Sequence, residues 1–296
     1  MMRKILLPLL LLTSLAQAQE ADLGPTLKRI AEAGTIQLGH REAAIPFSYV
    51  LADKATPAGF SWELCGRIVK AVEAKLGKEI RIVPVVATAN ARLMMVKVGM
   101  ADIECGATTH TVGRESQVAF SNTFFVSEVK VMVRADSGIK SFTDLAGKRI
   151  LTTSGSTADR LVKQAAMQRN QTVRQMMGRS HAESMAMLVR GDADAYVGDD
   201  AILVGERANS ASPESYVLLP ESLSVEPYGL ALPKDDPAFK KLVDGVLVQL
   251  MQSGEFETLY NQWFMGAIAP TGANLNLPMS NLLKAVVANP NDRPVN

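Results

Sequence analysis

Cysteine and histidine are scarce in this sequence, which limits the chemistry that it can support. Its 296 residues include two cysteines and three histidines. None of them follows a CxxC, HxxxH or HExxH spacing, the patterns in which zinc ligands commonly occur. We therefore expect neither a metal site nor another cofactor.

An excess of charge of either sign is also absent. The sequence has 31 Lys and Arg residues against 30 Asp and Glu residues. Proteins that bind nucleic acids or anionic membranes usually carry a clustered basic excess. We expect no nucleic-acid or membrane partner, so recognition of charge must depend on a few placed residues. The hydrophobic fraction of 47% is sufficient for a folded core.

Long apolar runs are missing except near the N-terminus. Two basic residues precede the apolar run Ile5–Leu12, and Ala16–Ala18 provides the small residues that a signal peptidase recognises. This pattern is typical of a secretory signal peptide, predicted here over residues 1–18. The run is too short for a membrane-spanning helix, which needs roughly 20 residues. We expect a mature protein that is soluble in the periplasm.

The two cysteines, Cys65 and Cys105, have two possible states. In an oxidising compartment they can pair, and the alternative is two buried thiols. Cys65 falls on a predicted helix and Cys105 just after a predicted strand. A sheet and its covering helix can bring such residues within the Cα distance that a disulfide needs. We expect the disulfide, although the sequence alone leaves both states open.

Short strand-like segments alternate with longer amphipathic segments along the chain. The helical stripe of Trp62–Leu76 ends at Gly77, and the next apolar run, Arg81–Val86, has strand character. Strands separated by helices are typical of βαβ units and parallel sheets. The alternation restarts near residue 130 without a linker, which predicts two α/β lobes with a ligand between them. The C-terminal segment, rich in Asn and Pro, is expected to be extended.

Several short segments match one family in their order and spacing. They are Gly39–Glu42, Pro46–Tyr49, Glu104–Gly106, Thr108, Thr109, Arg114, Phe120, Ser121, Thr153–Gly155, Gly198–Ala201, Gly205–Ala208, Tyr228, Gly229 and Lys234–Pro237. Each segment alone is a weak signal, but together they extend over nearly the whole predicted mature chain. The sequence resembles the periplasmic glutamate/aspartate-binding proteins of ABC importers, which are type II solute-binding proteins of family 3.

The resemblance implies an architecture and a place for the ligand. The expected fold is α/β, the two-lobed periplasmic-binding-protein type II fold, with the ligand in the interlobe cleft. Residues 19–129 and 227–296 would form lobe 1, and residues 130–226 would form lobe 2. Site residues would then lie at loop ends that face the cleft.

The resemblance assigns the ligand's α-carboxylate to residues on separate loops. Arg114 follows a predicted strand and offers a planar guanidinium that matches a carboxylate. Thr109 offers a hydroxyl, Ala107 offers a backbone N–H group, and Thr157 lies before a helix, where free N–H groups favour an anion. Without the family context, Arg114 would be interpreted as a solvated loop residue and Thr157 as a plain helix N-cap.

The ligand's α-ammonium group needs an acceptor, and two neighbouring aspartates follow an apolar strand. The resemblance assigns the ammonium group to Asp199. Asp200 has the sequence position of an N-cap for the helix predicted over Ala201–Ala208, a structural role.

The resemblance places Arg41, Arg92 and His181 against a second, distal carboxylate of the ligand. Two arginines at one end of a pocket fit an anionic group, because unpaired buried cations are costly. Taken alone, His181 would be interpreted as a hydrogen-bonded structural histidine and Arg92 as a solvated residue of a first helical turn.

The sequence departs from the family pattern at two positions of the expected site. Ala89 and Ala107 stand where the family commonly has hydroxyl residues. A lost hydrogen bond is worth about 0.5–1.5 kcal/mol, and Thr88 or Asn90 could replace the one lost at Ala89. An acidic ligand is still expected, but the preference between glutamate and aspartate stays open.

These assignments predict a receptor without enzymatic activity. It would bind L-glutamate or L-aspartate between its lobes, act as a monomer and deliver the ligand to an inner-membrane ABC permease. One alternative is a binder of another polar amino acid or dicarboxylate. A rival from another class is a periplasmic dehydratase-like enzyme on the same fold. The assigned residues all suit ligand charges, and none of them stands out as a general acid.

Overall fold

A computed structural model describes residues 23–51 and 56–296. The predicted signal peptide, residues 1–18, lies outside the described residues. The helices are α1 (Gly24–Ala33), α2 (Phe60–Leu76), α3 (Arg92–Lys97), α4 (Ala158–Gln168), α5 (His181–Val189), α6 (Asp200–Ala208), α7 (Pro237–Ser253), α8 (Glu255–Phe264) and α9 (Asn281–Ala288). The strands are β1 (Thr35–His40), β2 (Ala43–Ala44), β3 (Ser48–Val50), β4 (Pro57–Ala58), β5 (Arg81–Val86), β6 (Ile103–Glu104), β7 (Ala119–Phe120), β8 (Phe125–Arg134), β9 (Arg149–Thr153), β10 (Arg174–Gly178), β11 (Ala195–Asp199), β12 (Tyr216–Leu218), β13 (Ser224–Tyr228), β14 (Ala231–Leu232), β15 (Ala267–Ile268) and β16 (Ala273–Asn274).

The first large sheet combines the N-terminal part of the chain with a strand from its last third. Its strand order is β5-β1-β6-β14-β7. Strand β1 is parallel to β5 and β6, whereas β14 is antiparallel to β6 and β7. Helices α2, α7 and α8 pack over this sheet and contribute the buried side chains Leu64, Ile68, Leu247, Phe256 and Phe264 to one hydrophobic core.

The second large sheet has the strand order β10-β9-β11-β8-β12, and β13 also pairs with β8. Strands β9, β10 and β11 are parallel, and β8 is antiparallel to its neighbours. Apolar side chains cover both faces of this sheet and form two separate clusters. One cluster includes Leu161 and Val162 of α4, and the other includes Met185 and Leu188 of α5. The molecule therefore has the two-lobed α/β architecture expected from the sequence.

Two antiparallel strands, β8 and β13, connect the lobes. Phe125 at one end of β8 and Tyr228 at the end of β13 pair with each other and lie in the core of the first lobe. Further along β8, Val131 and Val133 lie in a core of the second lobe. The predicted boundaries at residues 129/130 and 226/227 fall within these strands, so they stay predictions.

Helix α2 shows how local sequence determines an element. It begins two residues before the predicted segment, after Gly59 at φ 124°, where a Cβ would lie 2.3 Å from the Phe47 carbonyl oxygen. Only glycine tolerates this combination of backbone angle and close contact. The helix ends at Gly77, which adopts the left-handed conformation typical of a helix C-terminus.

The C-terminal segment differs from the extended tail that composition suggested. It contains helix α9, whose N-cap Ser280 accepts a hydrogen bond from the backbone N–H group of Leu283. Leu283 is buried in the core of the first lobe. A cap and an apolar anchor outweighed the surrounding Asn and Pro residues, because burial of one apolar side chain stabilises a short helix that is marginal alone. The last residues do run extended, and Val295 pairs with Thr111.

Cys65 on α2 and Cys105 just after β6 form a disulfide, with their Cα atoms 6.2 Å apart. The bond connects a sheet to the helix that covers it and lies in the core of the first lobe. No helix of the part that the structure describes is long and apolar enough to cross a bilayer. No group of three or more His, Cys, Asp or Glu side chains within residues 23–51 and 56–296 could hold a metal ion.

Reduction of this disulfide is expected to lower the free energy of unfolding by about 2–4 kcal/mol, because it removes a constraint on the unfolded chain. The bond joins residues separated by 40 positions. Urea unfolding of the oxidised and the reduced wild-type protein measures the difference without changing any side-chain volume. Two free thiols after alkylation of unreduced exported protein would contradict the bond itself.

Candidate ligand-binding site

The polar residues predicted from the sequence lie at the ends of strands and the starts of helices, on both sides of the cleft. Arg41 follows β1, Arg92 begins α3 and Arg114 begins a short 3₁₀ turn in the first lobe. In the second lobe, Thr157 precedes α4, His181 begins α5 and Asp199 ends β11. Parallel strands place such loop ends at one edge of a sheet, which is where α/β folds bind ligands.

At one end of the cleft, two guanidinium groups and one imidazole are buried together. Arg41 is 5% exposed, Arg92 3% and His181 7%. Burial, with Arg92 as the next cause, lowers the pKa of Arg41 to about 10, and burial also lowers the pKa of Arg92. Burial and then the two arginines hold the pKa of His181 well below its usual range. This end of the cleft therefore carries positive charge on the arginines, while the imidazole stays neutral.

The imidazole of His181 is held by two hydroxyl groups of the second sheet. Its Nδ1 lies 2.9 Å from the Tyr196 hydroxyl and 3.1 Å from Thr153 Oγ1. These contacts fix the position of the ring. A hydrogen-bonded structural role for His181 is therefore compatible with the expected role against the ligand's distal carboxylate.

A buried carboxylate that the sequence did not identify lies beside these arginines. Glu104, at the end of β6, is 0% exposed, and its charge opposes the lowering of the pKa of both Arg41 and Arg92. Thr108 connects it to Arg92, since Arg92 Nε donates to Thr108 Oγ1 at 2.6 Å and that hydroxyl donates to Glu104 Oε2 at 2.8 Å. Glu104 therefore acts on both guanidinium groups, and Asp199 also acts on Arg92.

Gly106 makes room for this carboxylate. A Cβ at this position would lie 2.1 Å from Glu104 Oε1, and that oxygen has no hydrogen-bond partner among the described residues. The Glu-Cys-Gly segment was visible in the sequence as part of the family match. Only the fold shows that its glutamate faces the site rather than solvent.

Arg114 lies near Arg92 and forms hydrogen bonds with both lobes. Its guanidinium donates to the Thr109 carbonyl oxygen at 2.7 Å and to the Gly155 carbonyl oxygen at 3.3 Å. Burial and then the charge of Arg92 lower the pKa of Arg114 to about 9. Thr109 is buried and contributes this carbonyl, whereas Ala107 packs in the core of the first lobe. The roles of the Thr109 hydroxyl and the Ala107 N–H group as ligand donors stay predictions.

In the second lobe, Asp199 is 9% exposed and accepts a hydrogen bond from the Tyr228 hydroxyl at Oδ2. Its Oδ1 has no partner among the described residues. Burial and then the charge of Glu226 raise the pKa of Asp199 to about 7. Thr157 makes no capping hydrogen bond with its side chain and instead donates to Glu226 Oε2 at 3.1 Å. Glu226 and Tyr228, both on β13, were not predicted as site residues.

The expected N-cap role of Asp200 is wrong by one residue. Asp199 occupies the N-cap position of α6 with extended backbone angles, and Asp200 is the first residue of the helix. The strand therefore passes into the helix without an intervening residue. The Asp200 carboxylate accepts from Ser127 Oγ at 2.5 Å, the Glu128 backbone N–H at 3.2 Å and the Ala201 N–H at 2.7 Å. It thereby ties the start of α6 to β8.

The two lobes also contact each other directly, through residues 89–90 of the first lobe and residues 154–155 of the second. Asn90 Nδ2 of the first lobe donates to Ser154 Oγ of the second lobe at 2.8 Å. Gly155 has φ 80°, and a Cβ there would lie 2.8 Å from the backbone carbonyl group of Ala89. The carbonyl oxygen of Ala89 accepts from Arg92, so the missing hydroxyl at position 89 is not required to hold this guanidinium. Asn90, one possible replacement for that hydroxyl, is used to join the lobes.

A family model for bacterial extracellular solute-binding proteins, family 3, matches residues 36–266. The L-glutamate/L-aspartate-binding protein of Pseudomonas aeruginosa is 40% identical over 92% of this chain and 90% of its own length. The glutamate/aspartate import solute-binding protein of Escherichia coli K12 is 37% identical over 98% of this chain and 97% of its own length.

Solved structures show the same fold. A mutant of ArgBP from T. maritima has a TM-score of 0.71 at 26% identity, over 81% of this chain and 99% of that one. An ancestral amino-acid-binding protein, described as a precursor of cyclohexadienyl dehydratase, has a TM-score of 0.69 at 26% identity, over 81% of this chain and 99% of that one. The chain therefore belongs to the bacterial extracellular solute-binding proteins, family 3.

Proposed function

We propose that this protein captures L-glutamate or L-aspartate in the periplasm and delivers it to an inner-membrane ABC permease. The single observation that carries the proposal is the buried pair Arg41 and Arg92, which share one carboxylate, Glu104. Glu104 cannot neutralise both guanidinium groups, and a second carboxylate, from an amino acid, would pair with them. The names of the relatives from P. aeruginosa and E. coli support the same ligands.

The rest of the site suits the part that all amino acids share. Arg114 would hold the α-carboxylate with a guanidinium that already faces the cleft, and Thr157 would add a hydroxyl. Asp199 would accept the α-ammonium group with its unpartnered Oδ1. Closure of the lobes removes water from these pairs, which strengthens each of them.

We propose a binding role without catalysis, in a protein that acts as a monomer. The ancestral dehydratase precursor among the structural neighbours is itself described as an amino-acid-binding protein. Among the described residues of the site, Glu104 faces the arginines, Glu226 accepts from two hydroxyl groups, and Asp199 accepts from Tyr228 and faces the place of the ammonium group. These contacts suit the charges of a bound amino acid.

Thermal unfolding in the presence of single ligands tests the proposal. Glutamate or aspartate is expected to stabilise the mature protein most, by about 2.7 kcal/mol at a hundredfold excess over Kd. Glutamine, asparagine, lysine and leucine are expected to stabilise it less, because none carries a second carboxylate. A larger effect of a neutral or cationic amino acid would contradict the acidic ligand. Turnover of a carboxylated substrate without amino-acid binding would replace the receptor with an enzyme.

A further inference from the structure

Two buried carboxylates project from one face of the second sheet. Asp199 on β11 and Ser224 on β13 both pair with Val129, and Glu226 pairs with Ser127 two residues away on β8. Directly opposed residues share a face of a sheet, and so do alternate residues of one strand. Asp199, Glu226 and Tyr228 therefore share the face that leads to the N-terminus of α4.

Hydrogen bonds hold both carboxylates in place, and no ion pair neutralises either one within the described residues. Ser224 Oγ donates to Glu226 Oε1 at 2.6 Å, and Thr157 Oγ1 donates to Glu226 Oε2 at 3.1 Å. Tyr228 donates to Asp199 Oδ2, and Asp199 Oδ1 has no partner. Glu226 is 2% exposed and Asp199 is 9% exposed.

The surrounding charged groups do not neutralise Asp199 and Glu226. The charged and titratable groups that face Asp199 or Glu226 are Arg92, Arg114, Tyr196, Asp200 and Tyr228. The guanidinium of Arg92 donates to Thr108 and that of Arg114 to the Thr109 carbonyl group, so both have other acceptors. The Asp200 carboxylate adds further negative charge but is itself held by Ser127 and two backbone N–H groups.

We propose that Glu226 is a second acceptor for the ligand's ammonium group beside Asp199, and that this ammonium group displaces a proton that Asp199 holds in the empty protein. This inference rests on the proposed function, because it needs a ligand with an ammonium group. The ammonium group would meet the unpartnered Asp199 Oδ1 and the buried Glu226 carboxylate on the same face of the sheet. On binding, the proton leaves the Asp199 carboxyl group for bulk solvent, and the positive charge of the ammonium group takes its place.

The direction in which ligand affinity changes with pH follows from this exchange of a proton for the ammonium group. In the empty protein, burial and the charge of Glu226 raise the pKa of Asp199 to about 7. Below that pH Asp199 carries the proton that binding must displace, so affinity is expected to rise as the pH rises towards about 7 and then to level off. The gain is at most tenfold per pH unit for one released proton. His181 stays neutral in this range because its pKa is far lower.

Calorimetry of the wild-type protein in two buffers of different ionisation enthalpy counts the released protons. With glutamate we expect release of nearly one proton at about pH 6 and much less at about pH 8, where the ligand's own groups do not titrate. Glutarate has both carboxylates but no ammonium group, so it is expected to release none and to bind more weakly as the pH rises. Equal proton release with the two ligands, or none with glutamate, would overturn the displacement of a proton from Asp199.

The variant Glu226→Gln tests the residue itself. It is expected to bind glutamate at least about tenfold more weakly at pH 8 and to lose the proton release at pH 6, because Asp199 no longer repels a neighbouring carboxylate. Glutarate binding is expected to be unchanged or stronger. The matched control is Glu128→Gln, which makes the same change on β8, at a partly exposed carboxylate paired with Lys130. A glutamate affinity and proton release equal to those of the wild type would overturn the role of Glu226.

A carbon-13 NMR titration of the side-chain carboxyl groups in the empty protein separates this inference from the proposed function. One carboxyl group that titrates near pH 7 in the wild type, and at lower pH in Glu226→Gln, supports a protonated Asp199 beside the Glu226 charge even if no amino acid binds. If glutamate binds but no carboxyl group titrates in that range, the proposed function stands and the protonated Asp199 is wrong.

Discussion

Arg92→Ala is expected to weaken glutamate binding by about 3–5 kcal/mol and glutamine binding by much less. The guanidinium is buried between Thr108, the Ala89 carbonyl group and Gly155, beside Arg41 and Glu104. Without it, the ligand's distal carboxylate would enter a desolvated pocket in which the Glu104 charge offsets the remaining Arg41. Glutamine has no distal charge. Its binding would lose only the smaller contribution that Arg92 makes by contacting Gly155 across the lobes.

Arg114→Ala provides the contrasting variant. This guanidinium faces the common end of an amino acid, so its loss is expected to weaken every amino-acid ligand to a similar extent. Calorimetry of both variants with glutamate and glutamine measures the difference, and Arg134→Ala, an exposed arginine paired with Asp136, is the control. An equal loss for both ligands in Arg92→Ala would mean that Arg92 supports the fold or the shared α-carboxylate, and the explanation of acidic specificity would fail.

Gly155→Ala is expected to raise the Kd for glutamate by at least about tenfold, because it blocks the contact between the lobes. A Cβ at this position would meet Asn90 Oδ1 at 2.5 Å and the backbone of Ala89 at 2.8 Å. The backbone of Ala89 cannot move away without displacing the start of α3 and therefore Arg92. The variant is expected to stay open in the presence of ligand, which small-angle scattering measures as a larger radius of gyration.

Gly191→Ala is the matched control for this variant. Gly191 has φ 77°, close to the φ 80° of Gly155, but nothing lies within 4 Å of a Cβ there. Both variants carry the strain of a left-handed backbone, about 1–2 kcal/mol, and only Gly155→Ala adds the clash between lobes. If the two variants lose stability equally and bind glutamate equally well, the contact at Gly155 does not limit closure.

Features that depend on neighbouring residues in the chain could be predicted from the sequence. The stripe of Trp62–Leu76 and its stop at Gly77 predicted α2, since apolar spacing and a left-handed glycine act within a few residues. Arg41 and Arg92 became candidates through the family resemblance, since Arg92 taken alone would be interpreted as a solvated residue of a first helical turn. Their assignment to one pocket came from the family resemblance and not from the spacing.

The sequence did not identify the acidic residues that set the charge of the site. Glu104 resembles an ordinary strand-end residue and Glu226 an ordinary strand residue, because a local pattern does not show whether a carboxylate is buried. The Asn281–Ala288 helix was missed for a similar reason, since its stability depends on Leu283 reaching a core built by distant segments. In each case the deciding contact joins residues far apart in the chain.

The sequence by itself determined the alternation of strands and helices, the balance of charge and the presence of arginines and an aspartate at loop ends. Tertiary structure decided which of these charges meet. Glu104 comes to lie beside Arg41 and Arg92, and Glu226 beside Asp199, only when the sheets assemble. The physical reason is that the energy of a charge depends on its burial and on its nearest neighbours. Neither property is local to the chain.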